Sequence, residues 1–126
     1  MQERVLVTGA LGQLGQELSE ALAKKYGTEN VWLSDIREEV DVKNSQYVCL
    51  NVMDQERICD ILCDKKITVV YHLAALLSAN AEKDPLHSWE LNMKGLLNLL
   101  EAMRLESVRK MFWPSSIAVF GPQSPK

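Results

Sequence analysis

At 126 residues, 47% of them apolar, the chain is long enough to bury a core and reads as one domain over 1–126, or part of a larger one. A net charge of -3, with Lys and Arg scattered among Asp and Glu, argues against a nucleic-acid partner. Cys49, Cys59 and Cys63 make no disulfide framework and lack the further ligands of a metal site, so they read as core thiols in a reducing, cytoplasmic compartment. No apolar run spans a membrane, and the first residues lack the pattern of a secretory signal.

Val5-Leu6-Val7 reads as the first strand. It passes through Thr8 into Gly9, Gly12 and Gly15, a GxxGxxG series rather than GxGxxG, and then into a helical pattern. Strand, glycine turn and helix together form a dinucleotide cradle. Gly9 permits the sharp turn, Gly12 leaves backbone bare for a phosphate, and Gly15 lets the helix lie close to the sheet. The helix's amino end adds unpaired N–H groups and a field that favours an anion.

The first helix is predicted over about 14–25, with Leu14, Leu18, Ala21 and Leu22 on its buried face and Gly27 as its C-cap. Val31 to Ser34 is the second strand, and it ends in Asp35. That acid stands 20 residues after Gly15, placed to accept hydrogen bonds from the adenosine ribose. Its charge favours NAD over NADP, although Arg37 nearby is a residue type that holds a 2'-phosphate, and Asp35 also suits a simple turn.

Residues 36–46 read as a polar loop and Tyr47 to Leu50 as a third strand, with Leu50, Asn51 and Val52 bordering the adenine side. Asp54 is a candidate N-cap for a helix to about Cys63, buried through Ile58, Ile61 and Leu62. Ile67 to Leu73 has the near-continuous apolar character of a central parallel strand. Its end, Leu73-Ala74-Ala75, suits close approach of a cofactor or of a helix. His72 reads as a core histidine rather than a base.

Asp84 and Pro85 open a longer helix whose apolar face is predicted from Trp89, Leu96, Leu99, Leu100 and Met103, with the amide of Asn92 on it. Val108 to Trp113 is the fifth strand, and Ser116 lies beyond Pro114. The sum is β-α-β-α-β-α-β-α-β: an α/β, Rossmann-type, doubly wound parallel sheet with strand order 3-2-1-4-5, stopping after the fifth strand.

The stretches VLVTGALGQLG, LSDI, VYHLAALLSA, NMKGLLNLLEA and PSSIAVFGP resemble the extended short-chain dehydrogenase/reductase family, which includes nucleotide-sugar epimerases. HLAALLSANAEKDP and PSSIAVFGPQSPK are more closely similar to that family's NAD-dependent L-threonine 3-dehydrogenases. The resemblance implies NAD held by Gly9, Leu11, Gly12, Gln13, Gly15, Asp35, Leu50, Asn51, Leu73, Ala74, Ala75 and Asn92. It implies Ser78 in a small amino-acid substrate pocket and Ser116 as the catalytic hydroxyl. It also implies a homodimer built partly on the helix that starts near Pro85.

The resemblance covers the whole chain but only the amino-terminal part of such an enzyme. The family's catalytic Tyr-x-x-x-Lys is absent, since Tyr26, Tyr47 and Tyr71 have no lysine four residues on. The parent is expected to move hydride from C3 of L-threonine to NAD, giving 2-amino-3-oxobutanoate. The 126 residues alone are expected to be nearly inert, because loss of the base removes roughly 10²–10⁴-fold of catalysis. A fragment of a nucleotide-sugar epimerase or dehydratase, or a non-catalytic nucleotide-binding module, is the alternative.

Overall fold

The computed structural model describes residues 3–38, 46–74 and 84–113. Five parallel strands make one sheet: β1 (Val5–Thr8), β2 (Val31–Asp35), β3 (Gln46–Cys49), β4 (Val69–His72) and β5 (Lys110–Phe112), in the order β3-β2-β1-β4-β5. Among the described residues three helices accompany them: α1 (Gln13–Tyr26), α2 (Gln55–Asp64) and α3 (Pro85–Leu105), with a short 3-10 turn at Thr28–Asn30. Residues 36–38 are a bend, in keeping with the polar loop expected over 36–46, although the summed alternation places a helix in that connection; the rest of it, with 75–83 and 114–126, lies outside the described residues.

Period-two alternation explains the two-sided core. Leu6, paired with Trp32 and Val70, faces α2 and α3 and packs with Ile58, Ile61, Leu62, Leu99 and Met103. Val5 and Val7, with Val31, Leu33 and Val69, face the α1 side with Leu22. β1 is buried at every position, which is why its sequence shows little alternation of polarity. β1 lies between β2 and β4, so the strand order reverses across it and a crevice opens at the carboxyl ends of β1 and β4.

The caps follow the residues expected to make them. Asp54 accepts from Arg57 N–H at 3.2 Å and starts α2. Asp84 accepts from His87 N–H at 3.2 Å and starts α3, with Pro85 in its first turn. Gly27 ends α1 at φ +91°, its N–H bonded to Ala23 O.

Two helix faces and the thiols depart from expectation. α1 buries Gly15, Ser19, Leu22 and Ala23, whereas Leu14 is 54% exposed and Ala21 is exposed. The helix is turned so that Gly15 meets Ala10: a Cβ there would stand 2.5 Å from Ala10 O. α3 buries Ser88, Gly95, Leu96, Leu99, Ala102 and Met103, but Trp89 is 61% and Leu100 is 41% exposed. Each lies one residue past a buried neighbour, and one residue turns a helix by about 100°. Cys63 is exposed rather than a core thiol. The Glu106 carboxylate beside it raises its pKa, while burial does the same to Cys59.

Candidate functional site

The crevice is built on β1. Gly9 takes φ +65°, and a Cβ there would lie 2.6 Å from Ala74 N, so the glycine turn and the end of β4 touch backbone to backbone. Gly12 is different. It is the N-cap of α1, and a Cβ on it would meet nothing closer than Gly9 O at 3.5 Å. Gly9 and Gly15 are required by packing, whereas Gly12 keeps open the space in front of the helix's amino end. That end has no side-chain cap and no acidic residue in its first turn, the arrangement that suits a diphosphate.

Asp35 stands at the end of β2, beside the glycine turn. Its Oδ2 accepts from Leu11 N–H at 3.1 Å and its Oδ1 from Ile36 N–H at 2.8 Å, which fixes the carboxylate against the glycine turn. Each carboxylate oxygen carries a second lone pair, leaving acceptors for ribose hydroxyls. Ala10 N–H donates to Ser34 O at 3.0 Å and joins the same turn to the end of β2. Gln13 opens α1 as an exposed residue.

The structure continues this wall through β3. Leu50 N–H donates to Asp35 O at 2.9 Å, which sets buried Leu50 and exposed Asn51 beside the acid. Asn51 Oδ1 accepts from Met53 N–H at 3.0 Å and fixes the turn before α2. Leu73 and Ala74 are half-buried at the carboxyl end of β4, against Gly9. Asn92 is half-buried on α3. Ala75, Ser78 and Ser116 lie outside the described residues.

Thr8 is a site residue that sequence reasoning passed over as a strand end. Its buried Oγ accepts from Leu73 N–H at 3.1 Å and Ala74 N–H at 3.2 Å, and lies 2.7 Å from His72 Nδ1. With both lone pairs engaged, the hydroxyl proton goes to Nδ1, so His72 is neutral and carries its proton on Nε2. Burial holds the imidazole at about 4. His72 is therefore a core histidine that locks the carboxyl end of β4 onto β1. A hydroxyl directly before the glycine series was the signal available in the sequence.

The profile of the NAD-dependent epimerase/dehydratase family matches residues 5–126. The chain belongs to that family. An uncharacterised epimerase/dehydratase of Staphylococcus aureus strain USA300 is 46% identical over 98% of the chain and 39% of the relative. Among solved structures, a GalE-like L-threonine dehydrogenase from Cupriavidus necator in its holo form superposes with a TM-score of 0.89 at 44% identity, over 97% of this chain and 40% of that one. A UDP-glucose-4-epimerase from Stenotrophomonas maltophilia, solved with bound NAD, superposes at 0.83 with 26% identity, over 98% of this chain and 40% of that one. The chain thus spans about 40% of the length of the proteins it matches.

The residues present fit the cofactor of this epimerase/dehydratase family. A bare Gly12 at the uncapped amino end of α1 and an Asp35 carboxylate fixed beside it are chemically suited to the phosphates and ribose of NAD. The chain is an NAD-binding Rossmann domain of the kind found in L-threonine 3-dehydrogenases. Among the described residues no group of His, Cys, Asp and Glu is placed to hold a metal, and no helix is long and apolar enough to cross a membrane.

Proposed function

We propose that this chain is the NAD-holding part of an enzyme that oxidises L-threonine at C3 to 2-amino-3-oxobutanoate. The observation that carries the reading is the difference in likeness: 44% identity to a threonine dehydrogenase against 26% to a nucleotide-sugar epimerase, each over nearly the whole chain. NAD, when bound, accepts the hydride from C3.

The chain's own residues do the holding. Gly9, Leu11, Gly12, Gln13 and Gly15 offer backbone to the diphosphate. Asp35 accepts from the ribose hydroxyls and repels a 2'-phosphate, which selects NAD over NADP. Leu50 and Asn51 border the adenine, and Leu73, Ala74, Ala75 and Asn92 line the nicotinamide side. Ser78 contacts the amino-acid substrate, and Ser116 hydrogen-bonds the reacting hydroxyl. By family resemblance the proton leaves to a tyrosinate of a Tyr-x-x-x-Lys motif, which these 126 residues do not contain.

A second copy of the chain is the expected protein partner. Leu86, Trp89, Leu97 and Leu100 are exposed apolar residues of α3, with half-buried Met93 among them, and they form one outer stripe. Three free cysteines suit a cytoplasmic setting.

NADH absorbance after mixing the complete protein with L-threonine and NAD tests the reading, with UDP-glucose and UDP-galactose interconversion run beside it. Threonine-dependent NADH is expected, with the 126-residue chain binding NAD but turning over at least about 10²-fold more slowly. Sugar interconversion without threonine oxidation overturns the proposal.

A further inference from the structure

We infer that Asn98 and Gly95 of α3 are positioning residues for adenine recognition, acting through Val52. The inference rests on the reading above that Leu50 to Val52 border the base.

Among the described residues four hydrogen bonds hold this segment. Leu50 N–H is bonded to Asp35 O, and Asn51 fixes the turn through Met53 N–H on its Oδ1 and Asp54 N–H on its main-chain O. The fourth comes from another element, 46 residues away: Asn98 Nδ2 donates to Val52 O at 3.1 Å. One turn earlier on α3, Gly95 is buried against the Val52 side chain, and a Cβ on it would stand 2.8 Å from Val52 Cγ2. A glycine inside a 21-residue helix costs roughly 1 kcal/mol against alanine. The close fit to Val52 is the reason it is tolerated there.

Val52 is thus gripped twice, at its carbonyl by Asn98 and at its side chain by Gly95. Val52 is β-branched, so its side chain has few rotamers with which to yield. Moving either grip moves the backbone that follows Leu50 and Asn51. The glycine turn is held by bonds that do not involve Val52: Ala10 N–H to Ser34 O, Leu11 N–H to the Asp35 carboxylate, and Ala74 N–H to the Thr8 hydroxyl. Loosening Val52 therefore weakens recognition of the base and leaves the rest of the cofactor site in place.

The test compares AMP, NAD and nicotinamide mononucleotide by calorimetry on the parent chain, Asn98→Leu and Gly95→Ala. Both variants are expected to bind AMP and NAD about 3- to 10-fold more weakly, Asn98→Leu by losing the hydrogen bond to Val52 O and Gly95→Ala by pushing on the Val52 side chain. Nicotinamide mononucleotide binding is expected to change less than about twofold, a split that general destabilisation would not produce. Gly95→Ala raises helix propensity, so the test stands even where Asn98→Leu fails to fold. Unchanged AMP affinity in a folded variant, or equal losses for AMP and the mononucleotide, overturns the inference. Failure of the parent chain to bind AMP at all overturns the adenine reading itself, and this inference with it.

Discussion

Gly9, Gly12 and Gly15 look equivalent in the sequence and do different work in the fold. Gly9 needs a positive φ and would clash with Ala74, and Gly15 would clash with Ala10. Gly12 has room, its nearest neighbour 3.5 Å from a Cβ. Alanine at Gly9 is expected to destabilise the fold by about 2–4 kcal/mol, and at Gly15 by about 1–3 kcal/mol, read from urea unfolding. Gly12→Ala is expected to cost no more than about 1 kcal/mol of stability, the difference between two N-cap residues, yet to weaken NAD by about ten- to a hundredfold. Stability lost equally at all three positions would remove the case that Gly12 is kept bare for phosphate. The place of Asp35, by contrast, was legible: its spacing from Gly15 put it at the end of β2 beside the glycine turn, and the structure adds that Leu11 N–H fixes its carboxylate.

At the scale of elements, α3 carries two jobs on opposite sides. Its inner face packs on α2 and holds Val52 through Gly95 and Asn98. Its outer face leaves Leu97 57% exposed in line with Leu86, Trp89 and Leu100. Leu97→Glu is expected to leave the fold intact, because the side chain makes no core contact, and to shift a dimer to monomer in sedimentation. An unchanged sedimentation coefficient would remove this face as the interface. The ends of α2 and α3 were legible because a cap is a local device: Asp54 and Asp84 sit next to the N–H groups they satisfy. The faces of α1 and α3 were legible in part: Leu22, Leu96, Leu99 and Met103 are buried as expected, whereas Leu14, Ala21, Trp89 and Leu100 are exposed, because several apolar sets fit each helical period. The choice among them was made by Ala10 against Gly15 and by Val52 against Gly95.

For the whole molecule, the Thr8–His72 pair makes stability depend on pH. The imidazole is held at about 4, below the value of 6.5 that an unfolded chain has, so the unfolded state binds more protons between those values. The stabilisation is fully present above about pH 6.5 and is lost as the pH falls towards 4, on the order of 3 kcal/mol across the window. Urea unfolding between pH 4 and 7 is expected to show the parent chain losing that much more than His72→Gln, whose amide does not charge. Parallel curves for the two proteins would mean that His72 charges freely in the native state.

By itself the sequence determined the strand order, the glycine turn with Asp35 beside it, and the helix caps. Each of these depends on residues close together in the chain, or on an apolar period that one element sets alone. Tertiary structure alone decided which residues of α1 and α3 complete their buried faces, which partner the core histidine His72 finds in Thr8, and that Asn98 reaches Val52. Those outcomes depend on contacts between residues as far as 66 positions apart, such as Ala74 on Thr8, and no local pattern records them. The physical reason is that a hydrogen bond or a close backbone approach exists only once the sheet and helices have been brought together. The glycines that permit that approach are visible in the sequence, but the atoms they admit are not.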